Sequence, residues 1–180
     1  MKANEGAAQT RRLFFALWPD GALRPQLAGL AAAVLPSARG VVTATANLHA
    51  TLLYLGPVAE RRQLCAEHVA DALAGRAFTL SLDHIGYFRR PQALWVGCRQ
   101  LPEPLLGLVS GLRAGCASCG LSTDVRPFEL HVTLVKKVNA DPGRSPILSL
   151  HWEVGQFALI ESLQEEGVTH YSPLRFWNLA

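Results

Sequence analysis

A five-residue pattern occurs twice in this chain and constrains the fold more than any other feature of the sequence. Leu-His-Ala-Thr-Leu at 48–52 reappears as Leu-His-Val-Thr-Leu at 130–134, with one apolar residue between histidine and threonine in each copy. Because the side chains of a strand alternate between two faces, His49 and Thr51 share one face, as do His131 and Thr133. Each strand then presents an imidazole and a hydroxyl on one side and packs a core with the other. The duplication predicts two equivalent units that supply matching groups to one site.

The overall composition limits the class of protein. With 180 residues, of which 49% are hydrophobic and 17% charged, the chain is able to bury a core and is not intrinsically disordered. The net charge of +3 excludes a surface that is basic throughout, but it leaves room for a local basic patch that binds a phosphate or a nucleic-acid end. No apolar run reaches the roughly 18 residues that a membrane-spanning helix needs, so we expect no membrane segment.

The N-terminal residues do not have the pattern of a signal peptide, so we expect a cytoplasmic protein whose four cysteines are reduced thiols. Cys116 and Cys119 form a CxxC pair without a second pair or a histidine pair at ligand spacing, so zinc binding is disfavoured. Small residues near the end of a helix are the simpler interpretation. We also expect the protein to be a monomer.

Hydrophobic periodicity predicts three helices and several strands. Residues 1–11 are expected to form a flexible tail, followed by a single domain over residues 12–180. The predicted helices are 20–35, 60–73 (with Leu64, Val69 and Leu73 facing inward) and 102–119. The predicted strands are 13–18, 40–45, 47–55 (closed by Gly56-Pro57), 78–88, 93–98, 128–135, 152–163 and 168–177, with a loop at 141–146.

The hairpins among these elements favour antiparallel pairing of the strands. We therefore predict an α+β fold made of two pseudo-symmetric lobes of antiparallel sheet, with helices on the outer faces and a central cleft. Each His-x-Thr strand then belongs to a different lobe, and the two strands face the same cleft.

Two histidines that face one substrate can divide the roles of general base and general acid without a metal. Their threonine neighbours can donate hydrogen bonds to the oxygens of a phosphate held between the strands. Cleavage of a phosphodiester needs this set of groups, because one side chain activates the attacking oxygen and another protonates the departing one. The other four histidines have no threonine two positions later and are assigned no role; they are His68, His84, His151 and His170.

Cationic and aromatic side chains near the repeats are candidate substrate contacts. Lys136 has the strand parity of the core-facing residues and Lys137 that of the histidine, and either is a candidate to contact a phosphate. Arg126, just before the second repeat, is a similar candidate. Phe88 and Tyr54 are candidates to stack on a base, although an aromatic residue in a strand is more often part of the core.

Several further segments accompany the repeats: Arg-Leu-Phe-Phe-Ala-Leu-Trp-Pro at 12–19, Asn-Leu-His at 47–49, Gly-Tyr-Phe at 86–88, Leu-Trp at 94–95, Arg-Pro-Phe at 126–128 and Tyr-Ser-Pro-Leu-Arg-Phe-Trp at 171–177. Together with the repeats, this set resembles the 2H phosphoesterase superfamily, and most closely its bacterial RNA 2′,3′-cyclic phosphodiesterase branch, also named 2′-5′ RNA ligases. The resemblance spans nearly the whole chain beyond the tail.

The resemblance implies hydrolysis of a terminal 2′,3′-cyclic phosphate, on RNA ends or nucleotides, to a 2′-phosphate without metal or cofactor. It implies that His49 is the proton donor, that His131 is the proton acceptor, and that Thr51 and Thr133 hold phosphate oxygens. The chain departs from the family pattern at Leu130, where proline is usual, and at Lys136, where arginine is frequent. Lysine keeps the charge but loses the forked contact of a guanidinium with phosphate.

Three alternatives remain open at the level of sequence. The same site running in reverse would be a 2′-5′ RNA ligase, but water competes with any hydroxyl unless the site orders an RNA end. A non-catalytic module that binds RNA ends or nucleotides is disfavoured because both histidines and both threonines are intact. A metallohydrolase is disfavoured because no carboxylates stand at ligand spacing near either motif.

Overall fold

A computed structural model describes residues 10–73, 75–123, 126–138 and 150–180. The helices are α1 (Leu23–Ala38), α2 (Glu60–Ala72) and α3 (Glu103–Ser118), and a 3-10 turn covers Thr45–Asn47. The strands are β1 (Thr10–Leu17), β2 (Val41–Val42), β3 (Ala50–Ala59), β4 (Phe78–Leu82), β5 (His84–Phe88), β6 (Ala93–Gly97), β7 (Val132–Lys136), β8 (Leu150–Val154), β9 (Gln156–Glu165) and β10 (Val168–Asn178). The predicted loop at 141–146 lies outside the described residues.

One eight-stranded sheet forms the centre of the molecule. Seven of its strands follow the order β10-β9-β1-β3-β7-β6-β5, β2 pairs with β7, and every neighbouring pair is antiparallel. Strands β4 and β8 form a separate two-stranded sheet. The predicted α+β class with antiparallel pairing is confirmed. The sheets of the two halves, β10-β9-β1-β3 and β7-β6-β5, are joined where β3 meets β7, so both repeat strands lie at the middle of one sheet.

The apolar face of the repeat strands packs against the helices, as the alternation predicts. Leu48, Ala50 and Leu52 are buried with Leu130, Val132 and Leu134 in one large hydrophobic cluster. Helix α1 packs on β7, whereas α2 and α3 pack on β3 and on each other. The helices contribute buried side chains that include Leu27, Ala31, Val34, Leu105, Leu108 and Leu112. Each fully buried leucine stabilises the fold by roughly 1.5–3 kcal/mol, so this face holds the two halves together.

The first strand begins earlier than predicted, and β3 ends later. Thr10 and Arg11 pair with Ala59 and Val58, so the expected tail over residues 1–11 is wrong for its last two positions; residues 1–9 are not described. The predicted stop at Gly56-Pro57 is also wrong. Gly56 has φ 74°, a value that glycine adopts easily, and the register with β1 shifts beside it. The strand therefore absorbs an irregularity and continues.

Two predicted strands are each divided by a change of sheet. The strand expected over 78–88 breaks at Asp83, because β4 pairs with β8 whereas β5 pairs with β6. The strand expected over 152–163 breaks at Gly155, between β8 and β9. In α2 the predicted inward position of Leu64 is wrong: this side chain is 51% exposed, and Ala66 and Ala70 are buried in its place. Val69 of α2 and Leu73 at its end lie close against Gly115 and Gly111 of α3, where the two helices pack together.

The prediction of four reduced thiols is wrong for two of them. Cys65 in α2 and Cys119 at the end of α3 form a disulfide with a Cα–Cα distance of 5.9 Å. Cys98 and Cys116 are free, and burial raises the pKa of Cys116 to about 11. Cys116 faces the core while Cys119 faces α2, so the two residues of the CxxC pair do not act together. Among the described helices, none is long and apolar enough to cross a membrane.

Candidate active site

The two His-x-Thr motifs lie side by side at the centre of the sheet. Ala50 and Val132, the first residues of β3 and β7, are antiparallel partners, and extending this register by one residue on either side sets His49 opposite Thr133 and Thr51 opposite His131. The four polar side chains therefore stand on the face away from the helices, in a diagonal arrangement about a pseudo-two-fold axis. The structure brings the sequence-predicted groups together in one place.

Each imidazole is oriented by the carbonyl two residues before it. The Nδ1 atom of His49 lies 2.7 Å from the carbonyl oxygen of Asn47, and Nδ1 of His131 lies 2.9 Å from that of Glu129. A carbonyl only accepts, so we infer that Nδ1 carries the proton in both rings and that Nε2 is the atom free to exchange one. Nε2 of His49 lies 3.1 Å from the hydroxyl oxygen of Thr51.

The surroundings of His49 keep this ring neutral. Its neighbours are Phe14 at 5.0 Å, Tyr171 at 4.9 Å and Trp18 at 6.1 Å between ring centroids. Burial lowers the pKa of His49 to about 4, against the opposing effect of the hydrogen bond to Asn47. Positive charge on Lys136, on the cationic form of His131 and on Arg24 lowers this pKa further.

The surroundings of His131 are more open. The ring of Phe88 meets it edge-on at a centroid distance of 5.1 Å, and Trp95 lies at 6.2 Å. A cleft of about 450 Å³ runs from this histidine along the sheet. The residues that line it are Thr51, Leu52, Leu53, Tyr54, Phe88, Arg90, Pro91, Ala93, Arg113, Arg126, Pro127, Phe128, Glu129, His131 and Thr133. Three arginines and several rings give this cleft the character of a site for an anionic, aromatic ligand.

A β-bulge follows the threonine in both repeat strands. Along β6 and β7, Trp95 pairs with Thr133 but Leu94 pairs with Val135, so Leu134 is an extra residue. Both Leu134 and Val135 are consequently buried, and Lys136 falls on the histidine face. The sequence-based parity, which put Lys136 on the core face and Lys137 on the histidine face, is wrong. Lys137 lies beyond the strand with φ 54°.

The first repeat has the same irregularity at the same place. Ala16 pairs with Thr51 but Phe15 pairs with Leu53, so Leu52 is the extra residue, and Tyr54 is exposed on the histidine face. Tyr54 and Lys136 are therefore equivalent positions, each five residues after its histidine. The hydroxyl of Tyr54 accepts a hydrogen bond of 2.9 Å from Arg12.

Several residues of the site were given no role by the sequence analysis. Asn47, Arg24 and Tyr171 surround His49, and Arg90 and Arg113 line the cleft. The guanidinium of Arg24 donates to the carbonyls of Thr45 and Ala46 and lies over the ring of Trp18. These residues come from elements far apart in the chain, so local patterns do not show that they meet. Within the described ranges, no group of three or more His, Cys, Asp or Glu side chains is placed to hold a metal ion.

The fold and the paired motifs define a class of phosphoesterase, and comparison with known proteins identifies the family. The sequence profile of the 2′-5′ RNA ligase superfamily matches residues 19–166, so the chain belongs to this family. The chain is 33% identical over 174 residues to the RNA 2′,3′-cyclic phosphodiesterase of Escherichia coli (strain K12), covering 96% of this chain and 98% of that protein. The corresponding Thermus thermophilus protein, of the same name, is 31% identical over 162 residues, covering 84% and 81%.

Solved structures agree with this assignment. The crystal structure of E. coli LigT in apo form matches with a TM-score of 0.88 at 32% identity, covering 95% of this chain and 98% of that one. The structure of E. coli LigT complexed with 3′-AMP matches with a TM-score of 0.87, covering 94% and 98%. The resemblance inferred from the sequence is confirmed, and the protein is an enzyme of the cyclic phosphodiesterase class.

Proposed function

We propose that this protein hydrolyses the terminal 2′,3′-cyclic phosphate of RNA to a 2′-phosphomonoester by acid–base catalysis with His49 and His131, without a metal. The observation that carries the proposal is the pairing of Ala50 with Val132, which sets two imidazoles and two hydroxyls on one face. The full-length relatives named as RNA 2′,3′-cyclic phosphodiesterases support the choice of substrate.

The proposed reaction is an in-line displacement at phosphorus. Nε2 of His131 takes a proton from water, and the resulting oxygen attacks phosphorus as the bond to the 3′ oxygen breaks. Nε2 of His49 gives its proton to that 3′ oxygen, which leaves a 3′-hydroxyl and a 2′-phosphate. Attack and departure need groups on opposite sides of phosphorus, and one histidine from each half of the sheet supplies them.

The threonines and the lysine would carry the charge that develops on phosphorus. The hydroxyls of Thr51 and Thr133 stand diagonally between the rings, where they can donate to the two non-bridging oxygens. Lys136 lies on the same face because of the bulge at Leu134, and its charge already acts on His49. Its ammonium would balance the negative charge of the phosphate.

The cleft beside His131 would hold the terminal nucleotide and the RNA that precedes it. Phe88 and Tyr54 both line it and have exposed ring surface on which a base can stack. Arg126 lies at the same cleft and would contact a phosphate of the chain. A ligand with alternating rings and phosphates matches this lining.

The donor role of His49 requires that the substrate changes its protonation. In the free protein the pKa of about 4 keeps this ring neutral at pH 7. A phosphodiester anion beside the ring offsets the charges of Lys136 and Arg24, so binding raises the pKa of His49 and favours the imidazolium. The proton donor would thus form in the complex rather than in the free enzyme.

The decisive assay uses an oligoribonucleotide that ends in a 2′,3′-cyclic phosphate, incubated in EDTA. We expect turnover, a 2′-phosphate as the product, and a bell-shaped dependence of the rate on pH. A 3′-phosphate product would reverse the assignment of the leaving oxygen. Loss of activity on chelation, restored by a divalent cation, would reject the metal-free mechanism.

A further inference from the structure

We propose that Asn47 is a positioning residue for His49, because its side chain ties the turn before the histidine to the edge strand β10. The amide Nδ2 of Asn47 donates to the carbonyl oxygen of Thr169 at 2.7 Å. Its Oδ1 accepts from the backbone N–H of Tyr171 at 3.2 Å. The two bonds join residues more than 120 positions apart, so the tie belongs to the tertiary structure.

The same residue holds the ring through its main chain. The carbonyl oxygen of Asn47 is the acceptor, at 2.7 Å, that fixes Nδ1 of His49. A carbonyl in a short 3-10 turn would otherwise be free to tilt, and the imidazole would tilt with it. With the Asn47 side chain bonded to two backbone groups of β10, this carbonyl has a fixed direction, and Nε2 of His49 is fixed in turn.

The tie also places the aromatic neighbour of the histidine. Tyr171 is the residue whose N–H bonds to Asn47, and its ring packs edge-on against His49 at 4.9 Å and against Phe14 at 5.1 Å. One amide therefore sets both the hydrogen bond and one wall of the site for His49. Asparagine suits this position because a short side chain must offer a donor and an acceptor together.

A second support of the turn is independent of Asn47. Arg24 donates to the carbonyl oxygens of Thr45, at 2.7 Å, and Ala46, at 3.3 Å, and this holds the first part of the turn against α1. Removing the Asn47 side chain should therefore leave the turn folded but let its last residue move. The effect expected is misplacement of a catalytic ring, and a displacement of about 1 Å can cost roughly 10²-fold in rate.

The expected change in kcat rests on the proposed function, but the protonation of the His49 ring can be measured independently of any activity. In protein labelled with ¹⁵N-histidine, the His49 signals report which ring nitrogen carries the proton, and a His49→Gln variant assigns them. For Asn47→Ala we expect kcat to fall about 10- to 100-fold, with KM within about threefold. We also expect the His49 signals to change from one tautomer to a mixture as the ring becomes mobile.

Two further variants sharpen the test. Asn47→Asp keeps an acceptor for the N–H of Tyr171 and loses the donor to Thr169, so it should recover part of kcat. Its carboxylate should also raise the pKa of His49, which otherwise faces Lys136, His131 and Arg24. The matched control is Gln164→Ala, which removes a 2.6 Å bond to the Thr169 hydroxyl on the same hairpin and should leave kcat and the His49 signals unchanged.

An Asn47→Ala protein with the kcat of the parent would overturn the proposal. So would a loss of kcat with unaltered His49 signals, because the tie would then act on the fold and not on the ring. If Asn47→Ala fails to fold, the same two readouts apply to Asn47→Asp. If the parent protein does not hydrolyse a cyclic phosphate, the proposed function fails, whereas the His49 signals still decide the role of Asn47.

Discussion

The two halves of the sheet bring the same pair of side chains to the cleft but surround them differently. His49 lies among Phe14, Trp18 and Tyr171, and burial lowers its pKa to about 4. His131 meets Phe88 edge-on and lines an open cleft of about 450 Å³ together with three arginines. The duplicated strand thus fixes the backbone geometry of both histidines, whereas elements outside the repeat give each one a different environment.

This difference separates the roles that the two rings can take. Aromatic rings surround His49 and leave it only partly accessible, whereas the open side around His131 leaves room for water and for an RNA chain. Two imidazoles in identical surroundings would not differ in their tendency to bind a proton, so neither would be set as the general base or as the general acid. Substitutions within the repeat should affect the two halves equally, whereas properties set by the neighbouring elements should differ between the halves.

The largest effect is expected from the histidines, where the two halves should be equivalent. His49→Ala and His131→Ala should each lower kcat by about 10²- to 10⁴-fold, because each removes a proton transfer. Circular dichroism should show that both variants stay folded. His151→Ala, at an exposed position on β8, is the control and should retain the kcat of the parent. A His131→Ala variant with near-parental activity would show that the two motifs do not serve one reaction.

The second effect concerns stability and comes from the His49 ring. An unfolded chain binds a proton at His49 below pH 6.5, whereas the folded protein does so only near pH 4. As the pH falls through this window, the free energy of unfolding should drop by about 3 kcal/mol on this account. Urea denaturation of parent and His49→Gln proteins at pH 7 and pH 4 measures it: the parent should lose about 3 kcal/mol more than the variant. Equal losses would mean that His49 is not buried as described.

Substitution of either threonine should lower the rate by a similar factor, which should be smaller than the factor for either histidine. Thr51→Val and Thr133→Val remove a hydroxyl without changing the side-chain shape, and each should lower kcat/KM by about 30- to 100-fold. Thr79→Val in β4, whose hydroxyl bonds to Glu153 far from the repeats in sequence, should leave kcat/KM unchanged. If only one of the two variants in the site is impaired, the phosphate does not lie between both strands.

The smallest effect tests the bulge that places Lys136 on the histidine face. Lys136→Met should raise KM by about tenfold at low salt and by less at high salt, because dissolved ions screen an exposed ion pair between lysine and phosphate. Lys137→Met is the matched control, with a neighbouring exposed lysine beyond the strand, and should leave KM unchanged. If KM rises for Lys137→Met and not for Lys136→Met, Lys137 is the lysine on the histidine face, as strand alternation in the sequence predicted.

The repeat predicts the core of the site because strand alternation is local. His49, Thr51, His131 and Thr133 fall on one face, and Leu48, Ala50, Val132 and Leu134 on the other, as the two-residue period requires. The antiparallel α+β fold follows in the same way from the hairpins. What the alternation misses is the bulge after each threonine, since it arises from pairing with β1 and β6 and not from the strand's own sequence.

Long-range contacts account for the other errors. The disulfide joins Cys65 to Cys119, 54 residues away in the chain, whereas the sequence predicted four reduced thiols. Asn47 and Tyr171 meet because β10 lies at the edge of the sheet beside β9, which a list of predicted elements does not reveal. Sequence therefore predicts which side chains share a face, and tertiary structure decides which residues surround them.

The central claim is that both imidazoles act on one phosphorus centre. The most direct measurement is a titration of ¹⁵N-histidine-labelled protein with adenosine 2′-monophosphate, a product analogue, at constant pH, followed by a pH titration of the free and of the saturated protein. We predict that the Nε2 signals of His49 and His131 shift together with a single dissociation constant, and that the pKa of His49 rises from about 4 towards its ordinary value of 6.5. Signals that follow two different dissociation constants, or a His49 signal that does not respond, would contradict it.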